Sequence, residues 1–302
     1  MPSTPIPAKS DTADNVAALE RGFRVLACFV QSARPLGNSE VAELTGIPRP
    51  TVTRLIGTLV ALGHLRTVED QQDRWVLGAG VVRLAQAFLG GIDIRAHARP
   101  HLVRLAEELG VSSFLGVRDG GDMLVVDGGR ARSAVAVMGA DVGTRMALAT
   151  SALGRAWLAG VDATTRDAVR GQMLKAGTRA AELQAMDRAL DAARESGYVV
   201  SLGEWHPNVN AVAVPVRTAA GQVVAINCGG PGFLLDAERL MKEAVPRILV
   251  AAQALARDIG GTAGAELIAE STADSAVPAT QKKTSQRRKP SDTAARQRVQ
   301  QD

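Results

Sequence analysis

At 302 residues and a formal net charge of +4, the chain has room for two ordinary domains. Its 46% of hydrophobic residues supplies real cores, yet no apolar run reaches the length of a transmembrane helix, so no membrane partner is expected. The first fourteen residues, MPSTPIPAKSDTAD, lack the apolar centre of a secretory signal and read as a disordered lead. Cys28 and Cys228 lie in different predicted domains, so a structural disulfide is not expected and a reducing cytoplasm fits.

Val16 to Val30 reads as a first helix, with Leu19, Phe23, Leu26 and Val30 on one side and Cys28 as a small core residue. The run NSEVAELTGIPRPTVTRLIGTL, 38–59, then reads as two short helices around a tight turn. Asn38 or Ser39 N-caps the first of them, with Glu40 and Glu43 near the positive end of its dipole. Gly46 ends it, Ile47 anchors the turn, and Arg49-Pro50 opens the second helix. Val52, Leu55, Ile56 and Leu59 recur at i, i+3, i+4 and i+7 and make one buried stripe.

The opposite face of that helix shows Pro50, Thr51, Arg54, Gly57 and Thr58, with Arg49 and Thr53 at its edges. A helix that enters the major groove must be slim there, and Arg and Thr reach phosphates, guanine or the thymine methyl. Leu62-Gly63 ends the helix. His64 to Val68 and Arg74 to Leu77 are expected as two strands around a polar turn, Glu69 to Asp73. Helix, helix-turn-helix and hairpin in that order predict a winged helix-turn-helix over 15–77. Ser39, Arg49, Pro50, Thr51, Thr53, Arg54, Thr58, Arg66 and Arg74 are its expected contacts to double-stranded DNA, with Arg54 and Thr51 central. Residues 1–78 carry eight Lys or Arg and eight Asp or Glu, so placement and not net charge must attract the phosphates. Glu69, Asp70 and Asp73 argue against deep insertion of the wing tip.

Residues 78–91 predict a linker helix and a Gly90-Gly91 hinge. Val81, Val82, Leu84, Ala85 and Phe88 offer an apolar side to the hairpin or to another subunit. Gly78 and Gly80 do not make a dinucleotide loop, because Arg83 stands where the third glycine belongs. Helices are then expected at 94–109, 152–159, 163–174, 182–196 and 236–259. Strands are expected at 112–118, 122–127, 133–137, 198–202, 210–216 and 223–228. Asp93, His97 and His101 recur every four residues, but three ligands on one helix rarely close a metal site, and none is expected. No nucleophile elbow, phosphate loop or zinc spacing is present, so the second domain reads as a receptor without cofactor or catalytic residue. Residues 261–302 read as a disordered basic tail, in which Lys282, Lys283, Arg287, Arg288, Lys289, Arg296 and Arg298 have only Asp292 as an acid between them.

ALERGFRVLACF, SEVAELTGIPRPTVTRLIGTLVALGHLR and the wing ending in WVLG resemble the isocitrate lyase regulator (IclR) family of bacterial transcription factors. The likeness continues through ARPHLVRLAEELGVSSFLGVRDGGDMLVVD, ALATSALGRAWLAG, GYVVSLGEWHPNVNAVAVPVR and GQVVAINCGGPGF, covering about residues 15–260. It implies an α+β protein: a winged helix-turn-helix joined by a linker helix to a GAF-like α+β effector-binding domain, 92–260. It also implies a homodimer, often a tetramer as a dimer of dimers. A small-molecule effector, an organic acid, is expected between a helix start and neighbouring strands. By that resemblance the site is Ala152 and Leu153, whose backbone N–H groups cradle a carboxylate, with Ser201, Ala211, Asn227 and Gly229 on strands. Met138 and Met146 are expected as apolar wall.

The chain departs from the small-acid pattern of the family, which has a carboxylate at the Ser201 position, a cysteine at Ala211 and serines at Asn227 and Gly229. The common histidine is Ala149 and the usual lysine is Arg155. These changes predict a less acidic pocket and a bulkier, aromatic or uncharged effector. Glu204-Trp205-His206 is expected on a loop over the pocket, where Trp205 is either a cover or a packing plug. The competing readings are a metabolite-binding protein or enzyme with a non-functional helix-turn-helix, and an architectural DNA protein indifferent to sequence and ligand.

Overall fold

The computed structural model describes residues 16–32, 34–69, 71–131 and 140–273. Its first part is a three-helix cluster with a hairpin. Helix α1 (Ala17–Gln31) packs on α2 (Asn38–Thr45) and α3 (Arg49–Ala61), and strands β1 (Leu65–Val68) and β2 (Gln71–Leu77) pair antiparallel. Val25, Cys28 and Phe29 of α1 meet Val41, Ile47, Val52, Ile56 and Leu59 in one small core. Burying side chains of this size contributes roughly 1.5–3 kcal/mol each.

Three local expectations change. On α1, Leu19, Phe23 and Val30 are exposed, and the buried side is the neighbouring stripe Val25, Cys28 and Phe29. Both stripes have helical spacing, so periodicity alone does not choose between them. The N-cap of α2 is Gly37, whose N–H is accepted by the Glu40 side chain at 2.9 Å; Asn38 and Ser39 lie inside the helix. The second wing strand also starts earlier than expected, at Gln71. An irregular register at Thr67/Val68 and a left-handed Asp73 (φ 60°) absorb the extra residues.

Helix α4 (Gly80–Gly90) leaves the wing through a close junction. A Cβ at Gly78 would stand 2.4 Å from the Gly63 carbonyl oxygen, and one at Gly80 would stand 2.7 Å from the same atom. Glycine is therefore needed where the linker crosses the end of α3. Val82, Leu84 and Phe88 of α4 are exposed, as expected. Leu89 and Ile92 pack onto the core that follows.

That core surrounds an antiparallel sheet in the order β5-β4-β3-β8-β7-β6, with β9 also pairing β7. The strands are β3 (Ser112–Asp119), β4 (Asp122–Arg130), β5 (Arg145–Ala147), β6 (Val199–Leu202), β7 (Val209–Arg217), β8 (Val223–Pro231) and β9 (Thr262–Ala263). Asp119 pairs with Asp122, leaving Gly120 and Gly121 as a two-residue turn with Gly120 at φ 62°. The strand expected at 133–137 lies outside the described residues, and β5 was not expected.

One face of the sheet carries α5 (Ile94–Leu109) and the long C-terminal helix. That helix runs from α9 (Ala237–Arg239) through a π turn (Leu240–Ala244) into α10 (Val245–Asp258). The other face carries α6 (Ala152–Gly160), α7 (Ala163–Lys175) and α8 (Ala180–Ser196). Strand alternation divides the two cores: Ile226 and Cys228 of β8 face α5 and α10, while Ala225 faces α6.

The start of the tail expected from 261 is folded. Helix α11 (Gly264–Ala273) follows β9, with Leu267 and Ile268 at 0% and 2% exposure. The Ser271 hydroxyl donates to the Gly160 carbonyl at 2.7 Å, and Arg217 donates to Ser271 at 2.9 Å. Of the expected tail, 274–302 lies outside the described residues.

Candidate functional site

On the exposed side of α3, Arg49, Pro50, Thr53, Arg54 and Thr58 face solvent, with Thr51 half-buried beside them. Arg49, Arg54 and Arg66 make no side-chain hydrogen bond or ion pair within the described residues. These three guanidiniums keep their donors for an outside acceptor. The remaining expected contacts are partly engaged. Thr53 donates its hydroxyl to the Arg49 carbonyl and accepts from Asn38 Nδ2, and Thr58 donates to the Arg54 carbonyl. Each hydroxyl thus presents lone pairs outward and must rotate to donate. Ser39 is exposed on α2.

Arg74 departs furthest from expectation. Its guanidinium pairs with Glu40, which also takes Arg34 at 2.5 Å. The Gly37 N–H and the two guanidiniums hold the Glu40 carboxyl below its ordinary value. Arg74 therefore ties the wing to the start of α2, and unlike the other three arginines it already has an acidic partner. On the other side, Arg24 donates to the Thr45 carbonyl at 2.6 Å and fastens α1 to the end of α2.

In the second half, a small cavity sits at the N-terminus of α6 where β6, β7 and β8 pass. Met146, Ser151, Ala152, Ser201, Trp205, Val209, Ala211 and Asn227 line it. Five of the eight expected effector residues are thus brought together. Ser151 N-caps α6, its hydroxyl accepting from the Gly154 amide at 3.0 Å. The Ala152 and Leu153 amides have no acceptor among the described residues. Ser201 donates to the Thr150 carbonyl at 3.0 Å, holding β6 against the helix start. Asn227 is 3% exposed, and its Oδ1 is buried without a partner. An orphaned buried acceptor costs about 1–3 kcal/mol, which a donating ligand relieves.

The other three expected residues are not in that lining as described. The Leu153 side chain is fully buried against Gly116, so only its backbone addresses the helix start. Gly229 is committed to strand pairing: a Cβ there would meet Ala211 Cβ at 2.9 Å and the Asn210 oxygen at 3.0 Å. Met138 lies outside the described residues. Ser151 and Val209 were missed. A capping serine and a strand-end valine look the same whether or not they border a cavity.

Arg155 lies under this site, 2% exposed. Its Nε donates to the Ala149 carbonyl at 2.7 Å, and its two terminal nitrogens fork onto Glu204 at 2.7 and 2.9 Å. His101, considered above for a metal, instead pairs with Asp258 at 2.7 Å. Burial pushes the Cys228 thiol up to about 12, so it is an inert core residue.

Residues 18–69 match the IclR helix-turn-helix domain, and residues 86–260 match the C-terminal domain of the bacterial transcriptional regulator IclR. This chain belongs to the IclR family. As an IclR-family protein it is a DNA-binding transcriptional regulator, with its helix-turn-helix joined to an effector-binding domain. It is 33% identical over 202 residues to the HTH-type transcriptional regulator TsaQ1/TsaQ2 of Comamonas testosteroni, covering 66% of this chain and 72% of that one. An IclR-family regulator from Brucella abortus superposes with a TM-score of 0.69 at 34% identity, covering 85% of this chain and 98% of that one. The fold is also that of an IclR homologue from Microbacterium hydrocarbonoxydans complexed with 4-hydroxybenzoate. The TM-score is 0.65 at 24% identity, over 81% of this chain and 99% of the homologue. No helix among the described residues of this IclR-family chain is long and apolar enough to cross a membrane.

Proposed function

We propose that this IclR-family regulator reads an operator through α3 and is switched by a small organic acid, aromatic in character, bound at the start of α6. Arg49, Arg54 and Thr51 make the central DNA contacts, with Arg66 on a flanking phosphate. Thr53 and Thr58 accept rather than donate there. The acid lays its carboxylate on the Ala152 and Leu153 amides, where a helix N-terminus favours negative charge. Its far end meets Asn227. The observation behind this is one cavity lined both by Ala152 at the helix start, whose amide has no acceptor among the described residues, and by Asn227 of β8, whose Oδ1 is buried without a partner. The chain acts by binding and not by turnover, in the cytoplasm. Its effector domain extends from about residue 92 through α11.

Two copies join through the apolar stripes that one copy leaves uncovered, Leu19 and Phe23 on α1 with Val82 and Phe88 on α4. Two such dimers make a tetramer. A homodimer sets two α3 helices about one DNA turn apart, or a multiple of it.

The test is a titration of the purified protein onto its own upstream DNA and onto scrambled DNA, at two salt concentrations, with and without 4-hydroxybenzoate and related benzoates. Sequence-specific binding that the acid shifts is the expected result. Equal binding to both DNAs would remove the operator reading, and specific binding that no acid shifts would remove the aromatic-acid effector.

A further inference from the structure

The cavity at the start of α6 is too small for a ligand. Its free volume is about 10 Å³, roughly one water. A small-molecule site needs about 300 Å³ or more. Something in its wall must therefore move before any ligand enters. Met146, Ala152, Ser201, Ala211 and Asn227 are fixed by the sheet and α6, all of them buried. Ser151 is held by its cap bonds to α6, whereas Trp205 is carried on the loop between β6 and β7. It is half-exposed, and its ring packs against the α6 core.

We propose that the Trp205 indole is a resident stand-in for the effector, occupying the ligand's place until the ligand displaces it. This rests on the reading that the cavity is the effector site. The neighbouring residue supplies the latch. Glu204 forks onto Arg155, a guanidinium at 2% exposure whose other donor is held by the Ala149 carbonyl. While Glu204 stays, the loop that carries Trp205 is tied to the helix whose N-terminus forms the cavity floor. If the loop leaves, Arg155 is stranded as a buried charge, so the closed form is strongly favoured without ligand. The loop ends are set for a pivot: Gly203 and Asn208 both adopt left-handed φ, 70° and 64°. Gly203 N–H bonds the Val209 carbonyl at 2.9 Å, so the loop closes on itself and moves as a unit.

The indole leaves Asn227 Oδ1 unsatisfied. A ligand that replaces the indole and brings an O–H or N–H to that atom gains what Trp205 does not supply. The effector class is therefore an aromatic acid with a hydroxyl or amino donor at the end remote from its carboxylate. An acid of the same shape without the donor binds more weakly.

The experiment is thermal melting of the full chain and of Trp205→Ala, each with indole, benzoate or 4-hydroxybenzoate. Trp205→Ala opens a space of indole size, so indole raises its melting temperature by about 2–5 °C at ten times the dissociation constant and leaves the parent chain unmoved. Glu204→Gln, which loosens the latch and keeps the indole, binds 4-hydroxybenzoate more tightly than the parent. The parent prefers 4-hydroxybenzoate to benzoate by tenfold or more, and Asn227→Leu abolishes the preference. If indole stabilises both proteins equally or neither, Trp205 fills no ligand-sized space and the stand-in is overturned. If indole stabilises only Trp205→Ala while neither benzoate binds the parent, the plug stands and the aromatic-acid effector of the preceding section fails.

Discussion

Ending the chain at Gly261 is expected to damage the effector domain, although the residues beyond look like tail in the sequence. The cut removes β9 and α11. Leu267 and Ile268 are buried almost completely, and each contributes about 1.5–3 kcal/mol. Ser271 satisfies the Gly160 carbonyl and accepts from Arg217, and each such bond is worth about 1 kcal/mol net. The cut also uncovers the Gly197 turn, where the start of α11 approaches so closely that a Cβ would stand 2.6 Å from Ala265 N. Together the loss is about 5–8 kcal/mol, against a total stability of about 5–15 kcal/mol for an ordinary domain. A chain ending at Ala273 keeps all of these contacts. Melting followed by circular dichroism decides it: the 1–273 chain melts within about 2 °C of full length, and the 1–261 chain melts at least about 10 °C lower or does not fold. Equal melting of the two truncations would refute the reasoning, since α11 would then lie on the domain without stabilising it.

Arg54→Ala should weaken operator binding by about 1–3 kcal/mol, roughly 5–150-fold, with melting unchanged; gel-shift titration at fixed salt measures it. Arg74→Ala should leave the salt slope of DNA binding unchanged and lower the melting temperature, because its partner is Glu40 and not a phosphate. Glu40 gives a pH test. Its folded value is depressed, so its contribution is present above its ordinary 4.5 and is lost as pH falls through the folded value. Glu40→Gln should therefore melt below the parent at pH 7 and converge with it in acid, a trend read from melts across pH 3–7. Phe23→Ser combined with Val82→Ser should shift sedimentation towards the monomer without changing helicity, since both side chains are exposed in one copy.

The helix-turn-helix is legible from its punctuation. Gly46, Pro48, Pro50 and Gly63 leave few places for helices to begin and end, and the stripe Val52, Ile56 and Leu59 then fixes which face is buried. Where two stripes compete the pattern falls silent. On α1, Leu19-Phe23-Val30 and Val25-Cys28-Phe29 have equally good spacing, and only contacts with other helices separate them. The partners of polar side chains are hidden for a similar reason. Arg74 in a wing looks like a phosphate ligand until Glu40, far off in sequence, is found beside it. Gly260-Gly261 and the polar composition after them conceal α11, a helix of ten residues with one buried edge. At the cavity beside α6, the resemblance pointed to the strands and the helix start that line it. Its closed volume and the Glu204–Arg155 fork depend on how a loop settles, and spacing does not record that.

The sheet has a consequence for how a ligand's message travels. The cavity opens on the face of α6, while the chain leading to the wing enters through α5 on the opposite face. Seven strands stand between the two like a partition wall. The wall is thin along β8, where Asn227 faces the ligand side and its neighbours Ile226 and Cys228 touch the packing beneath α5. One residue along β8 therefore separates the cavity lining from the far core. Because Arg95 at the head of α5 also donates to the Val126 carbonyl of β4 and to the Leu89 carbonyl at the end of α4, the sheet and the linker share one bolt. A ligand held at the start of α6 would therefore bear on the linker through the sheet and that bolt.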